Sequence, residues 1–132
     1  MRKLYAFLIG ILLLISLFGC QNEKKSPLDF TGKGEHWSAN VTVYPGEDKE
    51  ETKKINLNYT DDDPRSVKDL EFKLDSQNGQ LVMGEADVEL DKNGGLEEKS
   101  NTKVSKQTTN SDEFVLTIKW NNQSEDIVLK NK

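Results

Sequence analysis

A chain of 132 residues, 31 % of them charged and with a formal net charge of −5, has room for a single domain. The acidic balance argues against nucleic acid and against electrostatic adhesion to anionic lipid. One cysteine and one histidine rule out a disulfide framework and leave a zinc site short of ligands.

The chain opens on Arg2 and Lys3, then an uncharged, mostly apolar run from Leu4 to Phe18, then Gly19-Cys20. A basic n-region, an apolar h-region and a small residue at the cut form a secretion signal. The run is short for a membrane span, which needs about 20 apolar residues. Leu17-Phe18-Gly19-Cys20 resembles the lipobox of bacterial lipoproteins, with Phe18 where that family usually carries a smaller residue. The resemblance implies cleavage after Gly19, removal of residues 1–19, and a diacylglycerol on the Cys20 thiol. An ordinary secretory signal and an uncleaved anchor are the other readings of the same leader. Removal of Arg2 and Lys3 would take the net charge from −5 to −7.

Residues 20–29 (CQNEKKSPLD) read as the lipidated cysteine and a polar, flexible tether. Fully extended, its nine residues after Cys20 reach about 30 Å, which would hold a domain close to the membrane. The domain itself is assigned to residues 30–132.

From there period-two alternation dominates. Apolar residues alternate with polar ones at Trp37, Ala39, Val41 and Val43, then at Ile55, Leu57 and Tyr59. The same period recurs at Leu70, Phe72 and Leu74, at Ala86, Val88 and Leu90, at Phe114, Leu116, Ile118 and Trp120, and at Ile127 and Leu129. Such runs place one set of side chains on a buried face and the other in water. Turn chemistry separates them: Pro45-Gly46 with the exposed loop Glu47 to Glu51, Asp61 to Pro64, Gln77-Asn78-Gly79, Asp91 to Gly95, and Asn121-Asn122. With Asn121 and Asn122 as the final turn, Leu116 falls opposite Ile127 and Phe114 opposite Leu129.

Two stretches are ambiguous. Residues 64–74 read as a strand in phase with their neighbours, or as a helix capped by Asp63 with Pro64 at its first position. Residues 93–112 read as a long polar loop, or as a charged edge strand near 103–108. The expected fold is all-β: a single small antiparallel β-sandwich, immunoglobulin-like or a meander, of about six or seven strands.

Two segments carry a resemblance. Phe30-Thr31-Gly32-Lys33-Gly34-Glu35-His36-Trp37, and Leu116 to Asn122 followed by Glu125 to Leu129, resemble small uncharacterised lipoproteins of Bacillus-type Gram-positive bacteria. Those proteins place a G-x-G/S-x-x-W segment soon after the lipid cysteine and end in a W-N-G-type hairpin, where this chain has Asn122 in place of glycine. The resemblance implies a fold and a location on the outer face of the cytoplasmic membrane, and no activity.

Chemistry-bearing residues are sparse. His36 falls on the polar phase beside Trp37 and reads as a surface histidine. Asp61, Asp62, Asp63 and Asp91 are candidate calcium ligands, although no EF-hand spacing surrounds them and the favoured reading is solvated acidic turns. Trp37 and Trp120 read as core, with an aromatic sugar-binding platform as the alternative. No phosphate loop is present, and no cofactor or catalytic residue is expected. The function expected from sequence is a non-enzymatic, lipid-anchored module that contacts another envelope protein or a cell-wall component, with a small-ligand or calcium-binding carrier as the alternative.

Overall fold

The computed structural model describes residues 26–131; the leader, Cys20 and most of the tether lie outside them. The described chain is all-β and antiparallel, with eight strands rather than six or seven. They are β1 Leu28–Lys33, β2 Trp37–Pro45, β3 Glu50–Tyr59, β4 Leu70–Ser76, β5 Leu81–Val88, β6 Gly95–Lys103, β7 Glu113–Trp120 and β8 Gln123–Asn131. All eight belong to one sheet, in the order β5-β4-β7-β8-β1-β2-β3-β6. The sheet curls until it is nearly closed around one core, with β5 and β6 as its two free edges. β1 starts at Leu28, inside the segment read as tether, and pairs Leu28 with Val43.

The core follows the alternation. Trp37, Val41 and Val43 of β2, Ile55 and Leu57 of β3, and Leu74 of β4 are at most 1 % exposed. Phe114, Leu116, Ile118 and Trp120 of β7 face Ile127 and Leu129 of β8. The final hairpin has the expected register, Leu116 with Ile127 and Phe114 with Leu129. Its turn residues Asn121 (φ 48°) and Asn122 (φ 60°) both adopt left-handed backbone, the conformation that matches the twist of two antiparallel strands. Val115, out of step with the apolar phase, pairs with Val128 on the outer face.

The ambiguous segment 64–74 divides. Pro64–Ser66 is a short 3-10 turn with Asp63 as its N-cap, and Leu70–Ser76 is β4. The stretch 93–112 also divides: an edge strand is present, but as β6 over Gly95–Lys103 rather than near 103–108, and residues 104–112 form a loop. Two sequence readings are corrected. Ala86 and Val88 do not share a face, because β5 carries a bulge: Leu70 pairs with Val88 while Phe72 pairs with Glu85, and Asp87 sits at φ 55°. The extra residue shifts the phase, so Glu85 and Met83 take the core-facing side. Glu51 is not in an exposed loop; it belongs to β3 and is 1 % exposed.

The glycines of the G-x-G-x-x-W segment have steric reasons. A Cβ on Gly32 would lie 2.5 Å from the Val128 carbonyl oxygen, 2.7 Å from Ile127 Cγ2 and 2.8 Å from Leu129 Cδ2. Only a bare backbone lets β1 approach β8 this closely. Gly32→Ala is expected to lower stability by about 1–3 kcal/mol through overpacking, read as a lower urea midpoint with an unchanged m-value.

Candidate functional site

The curled sheet has two unlike ends. At one lie the start of β2 and β8 and the ends of β3 and β7. Trp37, Trp120 and Tyr59 fill it, with Trp37 5.5 Å from Trp120 and 5.0 Å from Tyr59 between ring centroids. Both tryptophans are core, at 0 % and 2 % exposure. His36 is half-buried and stacks edge-on against Trp120 at 5.4 Å, so it is not the free surface histidine that its phase suggests.

Glu125 fastens this end. One of its carboxylate oxygens accepts from the backbone N–H groups of Glu35 and His36, both at 3.1 Å, and lies 3.1 Å from His36 Nδ1. A Cβ on Gly34 would sit 2.5 Å from the other oxygen, so the second glycine of the motif makes room for this carboxylate. The hydrogen bond to Glu125, and then the charges of Asp61, Glu125 and Glu35, raise the His36 pKa above its ordinary value against the opposing effect of burial. A histidine whose folded-state pKa is raised contributes stability that is complete below the ordinary value and is lost as pH rises through the raised one. The melting temperature is expected to fall as pH rises above the ordinary histidine value of about 6.5, and His36→Asn, whose amide can still donate to Glu125, to flatten that fall.

Glu35, His36 and Glu125 also bring donor atoms within 4.8 Å of one another. They are the residues here that could hold a metal ion. The Glu125 oxygens already serve two backbone amides and an imidazole, and the geometry is that of a clamp joining the β1–β2 turn to β8. The sequence-derived calcium candidates do not join this cluster. Asp63 Oδ1 accepts from Arg65 N, Asp91 Oδ1 accepts from Asn93 N and Gly95 N, and Asp61 Oδ2 lies 3.8 Å from His36 Nε2. The Asp91 carboxyl is held below its ordinary value by these turn amides, Gly95 first. Asp62 is exposed beside them. Each shapes a turn or faces a neighbour, and the four do not converge.

The opposite end is built on a buried ion pair. Glu51 and Lys53 occupy the core-facing phase of β3, in step with Ile55 and Leu57. Lys53 Nζ donates to Glu51 Oε1 at 3.0 Å, with the two side chains 5 % and 1 % exposed. The loop 104–112 folds over them: Thr108 donates its N–H to Glu51 Oε2 and its hydroxyl to Oε1, each at 2.8 Å. Burial pushes the Glu51 carboxyl up, but the bonds from Thr108 and Lys53 together outweigh it and hold it below its ordinary value. Glu51 is therefore fixed as the carboxylate, and its oxygens are well supplied with donors. The Lys53 ammonium carries three N–H donors and has one acceptor, Glu51 Oε1, among the described residues.

Between these ends runs the seam. β5 and β6 are consecutive, run in opposite directions and have no backbone ladder between them. Near their connecting loop, Glu85 and Glu98 lie equally far from the facing strand ends. Glu85 is opposite buried Phe72 and Glu98 opposite buried Ile55, so both stand on the core-facing phase, Glu85 exposed at the sheet edge and Glu98 half-buried, and their carboxyls meet across the seam. Burial, then the hydrogen bond to Glu85, then its charge, raise the Glu98 pKa. Farther along, the edges part. Leu81 and Val82 on one side and Thr102 and Lys103 on the other line a cleft of about 650 Å³. Lys53 and Phe114 form part of its wall, and the loop 104–112 its rim.

Sequence reasoning missed this site. Period two carried back from Ile55 passes through Lys53 and Glu51, two opposite charges on one face, and that is the signal that could have found it. No family model, curated protein or solved structure matches the chain. Among the described residues no helix is long and apolar enough to cross a membrane.

Proposed function

We propose that this chain is a lipid-anchored, extracytoplasmic β module that binds another envelope component without catalysis, and that the seam cleft is its binding surface. The observation that carries this reading is the cleft itself. Its volume, about 650 Å³, falls in the range of ligand sites, and its lining is mostly polar and charged, with Leu81, Val82, Val104 and Phe114 as its apolar side chains. It opens between two strand edges whose outer backbone groups have no partner in the sheet. A carboxylate held below its ordinary value beside a paired ammonium suits binding rather than proton transfer, because a general acid or base must titrate near the working pH.

The sequence supports the anchoring half of the reading, through the leader and Cys20. β1 begins at Leu28 and pairs there with Val43, at the cleft end of the sheet. An anchor at Cys20 would therefore hold the cleft on the membrane-facing side, within the reach of the seven residues that separate Cys20 from Leu28, about 25 Å.

The test is photo-crosslinking in intact cells, with a crosslinkable residue at Gln80 or Lys106 on the cleft rim and a control at Lys119 near the aromatic end. The reading expects discrete adducts from the rim positions and none from Lys119. Adducts that are equal at all three, or absent from the rim, would sink it. Intact mass of the membrane-extracted chain should carry a diacylglycerol increment and lack residues 1–19.

A further inference from the structure

Resting on the cleft as the binding surface, we infer that its ligand is the extended carboxyl-terminal tail of a peptide, added as a strand against β6 with its terminal carboxylate on Lys53.

Three features of the cleft converge on that chemistry. The first is the ammonium. Lys53 is almost wholly buried, borders the cleft, and has a single acceptor among the described residues. A buried ammonium with unused N–H donors is costly unless an oxygen arrives to meet them. Glu51 cannot supply a second interaction cheaply, because Thr108 already occupies both of its oxygens. An incoming carboxylate makes a charge-assisted hydrogen bond with the same ammonium, roughly twice as strong as a neutral one.

The second is the free edge. β6 is hydrogen-bonded to β3 on one side only. Its other side presents alternating N–H and C=O groups at the strand repeat of about 3.3 Å, which an extended peptide matches and a sugar does not. Direction follows from topology. β6 runs from Gly95 at the closed part of the seam to Lys103 at the cleft mouth. A peptide that enters at the mouth with its carboxyl end leading runs antiparallel to β6. That is the favourable ladder geometry, and it carries the carboxylate inward to Ser100, the residue opposite Lys53.

The third is the stop. Beyond Ser100, the next core-facing residue of β6 is Glu98, which meets Glu85 across the seam. Two carboxyls there turn away an anion that passes Lys53. The tail that fits is thus short, about three or four residues at the strand rise. Phe114 and Val82 offer apolar contact to its alternate side chains.

The experiment is backbone-amide NMR titration of the full chain in detergent micelles with three probes: Ac-Thr-Val-Thr-Val with a free carboxylate, the same peptide as its C-terminal amide, and N-acetylchitotriose. The free acid is expected to shift the amides of Leu81, Val82, Thr102 and Lys103 and to bind at least about tenfold more tightly than the amide. Glu51→Gln with Lys53→Gln, which is isosteric at residue 51, one atom shorter at residue 53 and removes both charges, should erase that difference. Equal affinity for acid and amide overturns the inference. Cleft shifts from chitotriose alone also overturn it but leave the cleft as a binding surface. No shift at the cleft from any probe overturns both.

Discussion

Replacing Lys53 with methionine is expected to lower the stability of the domain by about 3–5 kcal/mol, the cost of leaving one buried charge without its partner. Glu51 would remain 1 % exposed with its carboxylate facing an apolar neighbour. Against a total stability of about 5–15 kcal/mol for an ordinary domain, that loss would leave a measurable unfolded fraction. At a typical urea slope of about 2 kcal/mol per molar, the midpoint should move down by roughly 2 M. The companion double variant Glu51→Leu with Lys53→Met should recover much of the loss, because removing both charges also removes the need to desolvate them. Its recovery should be incomplete. Thr108 would lose both of its bonds to Glu51, so the loop 104–112 should exchange its amides faster in the double variant than in the natural chain. A Lys53→Met protein as stable as the parent would show that the pair is not buried as described.

Trp120→Ala is expected to cost about 3–5 kcal/mol, at the level of the largest core truncations. The side chain is 2 % exposed and stands edge-on to Trp37 at 5.5 Å and to His36 at 5.4 Å. Its removal takes away one wall of the aromatic end and exposes the Glu125 clamp to water. Trp37 Nε1 has no hydrogen-bond partner in the described structure, so the two indoles are held by apolar area, with the Glu125 clamp beside them. Trp120→Phe should therefore recover most of the loss. The measurement is again urea unfolding followed by far-UV circular dichroism. It distinguishes core from sugar platform, because an exposed platform tryptophan would tolerate alanine with a change of only a few tenths of a kcal/mol.

Much of this fold was legible in the residues. Each buried apolar position of β2, β4, β7 and β8 lies on the phase that the alternation marks, and the β7–β8 register follows from Asn121-Asn122 together with the need to match apolar with apolar. The G-x-G-x-x-W segment was legible as a structural motif, but its reasons, Gly32 yielding to the β8 backbone and Gly34 to the Glu125 carboxylate, are contacts with residues some 90 or more positions away that no local spacing reports. Three features escaped for physical reasons. The β5 bulge depends on a backbone choice at Asp87 that no periodicity reports. β6 has little apolar content because its core-facing residues Glu98, Ser100 and Thr102 line a seam and a cleft rather than a packed interior. Glu51 looked like a loop residue because charges are rarely buried without a partner, and here Lys53, two residues on, is that partner.

The functional site shares that origin. It arises where the sheet fails to close, and closure depends on pairing between residues far apart in the chain. Neither Thr108 nor Glu85 carries a mark in the sequence that points to Glu51 or Glu98.

Amide hydrogen exchange across the eight strands tests the central claim most directly. An open seam predicts slow exchange along β1, β2, β7 and β8, and fast exchange at alternate amides of β5 and β6, where N–H groups face no neighbouring strand. Uniform protection of both edges would mean that β5 and β6 pair directly and that no cleft exists between them, which contradicts the account.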